Sequence, residues 1–298
     1  MRIMEYNIYP RSNRIYSGAE RKIGITIEGE DYIVKFRRKT EFGTRNNHIS
    51  EYVGCRIIGS FGMKVQEVYL GTYNGEEVAV IKDFVGKGQQ FVAFNDVGES
   101  SIDEDRSRFQ YSYDDITEIL RANNKLNDPT ETVRQFWNVY ILDALLGNFD
   151  RHGGNWGFLK ENNIYTIAPV FDNGSCMFPN MTDEDEMRKI MDSEEKTNER
   201  VYTFPTSQIL LDGKKSSYYD VINSLAYPEC NHALKRMYMR FDRNKIENIV
   251  ENTEFISDVQ KKFYKHMLRY RFQLILEESY ERLIESEKTC NEGDHICG

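Results

Sequence analysis

No run of about eighteen consecutive apolar residues, the least a membrane-spanning helix needs, occurs in the chain. The N-terminus, MRIMEYNIYPRSNR, has no apolar signal core. Both absences point to a cytoplasmic protein, and a secreted effector using another export route stays compatible with them. Cysteine is sparse: Cys55, Cys176, Cys230, Cys290 and Cys297 form an odd, widely spaced set, which argues against a disulfide framework. Cys290, His295 and Cys297 supply only three potential metal ligands in a polar terminus, so 286–298 reads as a flexible tail. An excess of positive charge is also missing. Lys and Arg number 39 against 48 Asp and Glu, a net charge of −9. Broad nucleic-acid binding is therefore not expected, because no wide basic surface would release counterions. Nor is there a basic patch for a membrane surface. No internal repeat or linker interrupts the sequence.

What is present belongs to a globular protein. Hydrophobic residues make up 40% and aromatics 13% of the 298 positions, enough for one two-lobed domain or two small ones. The most informative stretch is Leu145 to Asn155, LLGNFDRHGGN, followed by Asp172 in IAPVFDNGS. Asp150 precedes Asn155 by five positions, and Asp172 follows after a short hairpin's worth of sequence. Phosphoryl transfer needs a nucleophile and metal ions held in line, so carboxylates and an amide must converge on one point. Kinases deliver them in this order: a loop Asp that orients the hydroxyl, an Asn for metal, then a metal-binding Asp. An ordinary polar turn explains DRHGGN alone, but explains it less well once Asp172 stands between apolar stretches.

Upstream, SGAERKIGITIEGEDYIVKF holds the other parts. Ser17, Gly18 and Ala19 are small enough for backbone N–H groups to approach phosphate oxygens. Ile23, Ile25 and Ile27 alternate as in a strand, Glu28 to Asp31 reads as a turn, and Tyr32 to Phe36 returns with Lys35 among apolar residues. A Lys there is costly to bury unless paired. Ile49, Val53, Ile57 and Phe61 recur every four residues and predict a helix ending near Gly62. Glu51 lies on another face of it and is the expected ion-pair partner of Lys35; a solvated surface Glu is the alternative. Val65–Thr72 and Glu76–Asp83 form a hairpin turned at Asn74 and Gly75. In a kinase layout the second strand runs into the adenine-contacting hinge at Lys82, Asp83 and Phe84.

Farther on, Thr130–Gly147 carries Val133, Phe136, Trp137, Tyr140, Ile141, Ala144 and Leu145 on helical spacing, with Pro129 at its start. Asp172 to Arg200 is acidic and poor in large apolar residues, as an activation segment or a surface loop is. Tyr218–Leu225, Glu229–Met239, Arg243–Val250 and Ser257–Ile284 read as helices, the last amphipathic. The expected fold is α+β: a small β-rich N-lobe over 1–86 and a larger, mostly helical C-lobe over 87–285, two lobes of protein-kinase type.

Together, SGA-x-x-K, YIVKF, the acidic residue on the next helix, N-x-DRH-x-x-N and AP-x-FD resemble the HipA-like serine/threonine kinases. YLGTYNGEEVAVIKDF, LLGNFDRHGGNWGFL and IAPVFDNGSC are similar to the short CtkA-type members of that group. The resemblance spans roughly 15–275 and implies ATP and Mg²⁺ as cofactors. It implies Asp150 as catalytic base, Asn155 and Asp172 as Mg²⁺ ligands, and Lys22 and Lys35 as phosphate contacts. In DRH-type loops the second residue after the Asp, here His152, holds the loop or contacts phosphate. A cognate antitoxin and autophosphorylation are further implications. Three departures stand out. The toxin-type N-terminal subdomain is absent ahead of the phosphate loop. Glu20 sits where Gln is usual. Only Ser12 and Ser17 lie near the loop serine that some relatives autophosphorylate.

The expected function is thus a protein kinase acting on a Ser/Thr acceptor of unidentified protein substrates. A phosphoinositide-kinase-like lipid kinase shares a DRH-x-x-N loop and is the first rival. A pseudokinase binding module is the second, and the presence of Lys35, Asp150, Asn155 and Asp172 counts against it.

Overall fold

The structure, a computed structural model, describes residues 3–16, 20–41, 43–97 and 111–294. Strand β1 (Lys22–Ile27) turns at Glu28 and Gly29, both with positive φ, into antiparallel β2 (Glu30–Phe36). A minimal hairpin, β3 (Lys39–Thr40) and β4 (Gly43–Thr44), leads to helix α1 (Asn47–Ser60). A second hairpin, β5 (Val68–Tyr73) and β6 (Glu76–Lys82), turns at Asn74 and Gly75 and completes an antiparallel sheet of order β1-β2-β6-β5. Strand periodicity gives this sheet two different faces. Ile25, Val34, Phe36, Val78 and Val80 pack with Tyr6 and Tyr73 on one face. Ala79, Ile81 and Val68 pack against Cys55 of α1 on the other. The register Lys22↔Lys35↔Ala79 places both lysines on the face turned toward α1.

The second lobe opens with β7 (Gln90–Ala93), α2 (Phe94–Val97) and α3 (Tyr113–Ala122). Its centre is α4 (Pro129–Leu146), whose apolar stripe is buried and which packs against α3 and the later helices. Asp128 caps α4 by accepting from the Glu131 N–H, and Pro129 occupies the first turn. Hairpin β8 (Gly157–Glu161) and β9 (Ile164–Ile167) adds to β7 as a three-stranded sheet. Then follow α5 (Glu184–Met191), α6 (Glu194–Asn198), a π-helical turn Glu199–Thr203, hairpin β10 (Thr206–Leu211) and β11 (Lys214–Ser217), α7 (Tyr218–Ser224), α8 (Pro228–Tyr238) and α9 (Arg243–Glu251). The described residues close with α10 (Asp258–Arg271), a π-helical segment Phe272–Glu277 and α11 (Glu278–Asp294).

Three expectations change. The acidic stretch after Asp172 is not a plain loop: α5 and α6 form because Met187 and Ile190 insert into the core and Asp183 and Ser193 cap the helix starts. The expected tail from 286 is helical to Asp294. Once nucleated, a helix extends at one hydrogen bond per residue, and Glu287 is tied to Lys235 of α8 at 2.6 Å. His295 and Cys297 lie outside the described residues, and no group of three His, Cys, Asp or Glu side chains suited to a metal occurs among the described ones. The β10–β11 hairpin was not expected.

Gly147 ends α4 in the left-handed conformation, φ 63° and ψ 45°, and delivers the chain to the DRH loop. A Cβ there would lie 3.3 Å from Pro205 Cγ and 3.5 Å from Arg271 Nε. Arg271 is itself buried and donates from Nε to the Ala144 carbonyl at 2.6 Å. We expect Gly147→Ala to lower unfolding free energy by about 1–2 kcal/mol, the cost of a side chain in this backbone region. Urea unfolding tests it, and an unchanged midpoint would refute the assignment.

Candidate active site

Between the lobes, the Lys35 ammonium lies 3.0 Å from Glu51 Oε2 and 3.0 Å from Asp172 Oδ1. Strand β2 supplies the lysine, α1 the glutamate and the segment after β9 the aspartate. Glu51 is 1% exposed, so its charge must be compensated by partners. Besides Lys35, its Oε1 accepts from the Asn173 N–H at 2.9 Å and from Gln66 Nε2 at 2.5 Å. Burial alone would lower the Lys35 ammonium; the Asp172 and Glu51 carboxylates override it and hold the group above its ordinary value. The Lys35 charge in turn holds the Asp172 carboxyl below its usual range, against burial. Lys22, on the same sheet face, is lowered by burial and by the Lys35 charge. Glu20 is raised by burial, with Asp172 and Glu51 adding to the rise and Lys35 opposing it.

The DRH loop is fastened from below by a second buried pair. Arg151 meets Asp143 of α4 through two parallel bonds, Nε to Oδ2 and Nη2 to Oδ1, each 3.0 Å. Its Nη1 also donates to the Asn155 carbonyl at 3.0 Å and to the Phe171 carbonyl at 2.5 Å, and Nη2 reaches Asn173 Oδ1 at 2.5 Å. One guanidinium thus joins α4, the loop and the residues on either side of Asp172. The planar five-donor fork is what makes this possible. Asn148 strengthens the same joint, donating from Nδ2 to Asp143 at 2.9 Å and accepting the Asp150 N–H at 3.0 Å.

Within the loop, His152 Nδ1 accepts the Gly154 N–H at 3.0 Å, and Asn155 Nδ2 donates to the Asp150 carbonyl at 2.7 Å. The Oδ1 branch of Asn155 is then the one left for a cation. Burial raises the Asp150 carboxyl, His152 opposes the rise, and the like charge of Asp172 adds to it. Two carboxylates that repel each other beside an amide oxygen suit a hard divalent cation, so Asp150, Asn155 and Asp172 fit Mg²⁺ chemistry. Lys35 and Lys22, on one face of the sheet, fit phosphate oxygens. Asp172 takes a left-handed backbone, φ 56°, an uncommon conformation for a non-glycine residue and one met at functional sites.

The structure brings Lys35, Glu51 and Asp172 together, and Lys22 onto the same side. It does not bring Lys82 there. That side chain lies on the opposite sheet face, paired across to Tyr32 and 3.7 Å from Glu30. Asp83 accepts from Arg14 and from the Tyr16 hydroxyl at 3.0 Å, so its carboxylate is committed to the N-terminal segment. Neither the Lys82 nor the Asp83 side chain joins the Lys35 cluster. Phe84 packs with Phe91 and Phe171 at centroid distances of 6.2 and 5.5 Å, an aromatic cluster where the chain leaving β6 meets the segment leading to Asp172. Ser17, Gly18 and Ala19 lie outside the described residues.

Sequence reasoning missed Asp143, Arg151, Asn173, Gln66 and Arg45. Asp143 had a visible signal, a lone charge inside the apolar run VYILDALL. Arg45 had none. Its side chain lies 5.8 Å from the Phe149 ring centroid, and its Nε is buried without a hydrogen-bond partner among the described residues.

A small antiparallel sheet with one helix, set on a helical lobe and joined to it by a Lys–Glu–Asp cluster, defines the protein-kinase-like class of folds. The chain belongs to the HipA-like C-terminal domain family, whose model matches residues 15–286. The serine/threonine-protein kinase CtkA of Helicobacter pylori is 38% identical over 271 residues, 89% of this chain and 83% of the relative. The crystal structure of an H. pylori proinflammatory kinase CtkA matches with a TM-score of 0.86 at 34% identity, over 96% of this chain and 100% of that one. A Shewanella oneidensis HipA, solved with HipB and operator DNA, shares the fold with a TM-score of 0.60 at 15% identity, over 91% of this chain and 67% of that one. The HipA-like resemblance and the two-lobed fold read from the sequence both stand.

Arg151→Ala would strand the Asp143 charge in the interior. We expect it to cost about 3–5 kcal/mol, and Asp143→Leu combined with Arg151→Met to regain most of that without regaining activity. Denaturant unfolding of both variants measures it. An Arg151→Ala loss under about 1 kcal/mol would mean the pair is not the fastening described.

Proposed function

We propose that this HipA-like serine/threonine kinase transfers the terminal phosphoryl group of Mg²⁺-bound ATP to a Ser or Thr hydroxyl of a protein. The observation that carries the reading is the Lys35 ammonium held 3.0 Å from both Glu51 and Asp172. Glu51 and Asp172 position Lys35 for phosphate, and Lys22 stands beside it as a second cation. Asn155 and Asp172 hold the metal, which when bound neutralises charge on the phosphate oxygens. Asp150 orients the acceptor hydroxyl and takes its proton. Its raised affinity for protons suits that, although a loose transition state needs orientation more than base strength. His152, engaged with the Gly154 N–H, keeps the loop in shape.

The rivals have less support. Family membership lies with HipA-like proteins and not with lipid kinases. Among the described residues no helix is long and apolar enough to cross a membrane. A pseudokinase would not need an ammonium poised between two carboxylates. A partner protein that restrains the kinase, of the kind solved with the Shewanella HipA, belongs to the same proposal, as does autophosphorylation.

Transfer of labelled phosphate from ATP to protein tests the reading. Asp150→Ala should lose about 10²-fold or more in kcat, in the range typical of a positioned proton acceptor, and His152→Ala should lose less. Asp172→Ala should fall by more than about tenfold, a barrier rise above ~1.4 kcal/mol. An inactive His152→Ala beside a fully active Asp150→Ala would overturn the assignment of roles.

A further inference from the structure

We infer that the acceptor side of this site carries a built pocket for one bulky apolar side chain, so that the substrates are Ser/Thr segments with Leu, Met or Phe close to the acceptor. This rests on the kinase reading above and adds the class of substrate.

The pocket has a volume of about 220 Å³ and lies between Phe149, Phe178, Pro179, Met181, Arg200 and Phe204. Phe149 immediately precedes Asp150, so the cavity adjoins the residue that receives the acceptor hydroxyl. A peptide lying over Asp150 advances roughly 3.3–3.6 Å per residue when extended, and a side chain within about three positions of the acceptor reaches the cavity. Phe149, Phe178, Pro179, Met181 and Phe204 make most of the wall, with Asn180, Glu199 and Arg200 as its polar part, which favours an uncharged, mainly apolar occupant of that size.

Each wall is held in place. The Phe149 ring stacks on Phe204 at 6.3 Å, and the Phe149 carbonyl accepts from Gln208 Nε2 at 2.6 Å. Met177 and Phe178 both have left-handed backbones, φ 54° and 55°, a costly pair of conformations for non-glycine residues. Met177 is pinned by its N–H to the Leu146 carbonyl at 2.9 Å, and Phe178 packs on Phe263 at 5.7 Å. The Pro179 carbonyl accepts the Asn46 N–H at 2.8 Å, which ties this wall to the start of α1. The Arg200 carbonyl is held by buried Arg271 at 2.5 Å. Its side chain is turned to Glu199 and Glu186, at 3.7 and 4.0 Å, so no unpaired charge faces the cavity from it. Against this fixed frame Phe204 remains 47% exposed, one of the few large apolar side chains left open to solvent among the described residues. A rigid floor with an exposed aromatic rim beside Asp150 is what a specificity pocket requires.

The test is a Ser/Thr peptide library, varied one flanking position at a time, phosphorylated by the full chain with MgATP. Wild type should prefer Leu, Met or Phe over Asp or Lys at one position by roughly tenfold in kcat/KM, the scale of discrimination an apolar pocket gives. Phe204→Ala and Met181→Ala should each cut that preference to under about threefold, through KM and not kcat. ATP affinity should stay at the wild-type value and thermal unfolding should stay cooperative, which shows the fold intact. Phe204→Glu should shift the same position toward Lys and Arg. Asp150-dependent transfer with no apolar preference at any position would remove the pocket from substrate recognition while leaving the kinase reading in place. So would variants that keep the wild-type preference. Absence of any Asp150-dependent transfer would remove the kinase reading itself, and the subsite with it.

Discussion

A lysine ammonium between two carboxylates holds this molecule's halves in register. Lys35 comes from the sheet, Glu51 from α1 and Asp172 from the segment that follows β9, and each oxygen lies 3.0 Å from Nζ. Glu51 is fully buried and Lys35 nearly so, and leaving one such charge without its partner costs about 3–5 kcal/mol, a large share of a domain's stability. The sheet, the helix and the segment after β9 therefore meet at one point. This meeting leaves an ammonium and a partly exposed carboxylate side by side, the pair proposed to meet phosphate and metal.

The Asp143–Arg151 pair does the corresponding work in the lower lobe, but with a different chemistry. Lys35 is a point charge that can be shared with an incoming phosphate. Arg151 is a fork whose donors are all taken by Asp143, Asn173 and the carbonyls of Asn155 and Phe171. One pair is available to a ligand and the other is sealed. Asn173 links them: its N–H binds Glu51 and its side chain accepts from Arg151. A shift of α1 would thus be felt at the DRH loop through two hydrogen bonds.

Much of this was legible in the chain because strands and loops with sharp periodicity or fixed spacing announce themselves. The alternation Ile23, Ile25, Ile27 located β1, the stripe from Ile49 to Phe61 located α1, and DRHGGN with Asp172 located the loop and the segment facing it. What stayed hidden depends on partners distant in sequence. Glu51 was expected to pair with Lys35 and does so at 3.0 Å, but the rest of its compensation, from Gln66 and from the Asn173 N–H 122 residues away, had no signal. Helix α5 has only Met187 and Ile190 as anchors, too few to mark a helix in an acidic stretch. The β10–β11 hairpin did carry a signal, Asp212-Gly213 between two short runs, of the kind that favours a tight turn. The pocket beside Phe149 had none, since its walls come from three separate segments.

Asp172 and Asn155 are proposed to hold a divalent cation against phosphates gripped by Lys35. Calorimetric titration of ATP with and without Mg²⁺, on wild type and on Asp172→Asn, tests it most directly. Mg²⁺ should tighten ATP binding to wild type by about tenfold or more, ~1.4 kcal/mol, and should have little effect on the variant. Equal Mg²⁺ enhancement in the two proteins would contradict the claim and place the cation elsewhere.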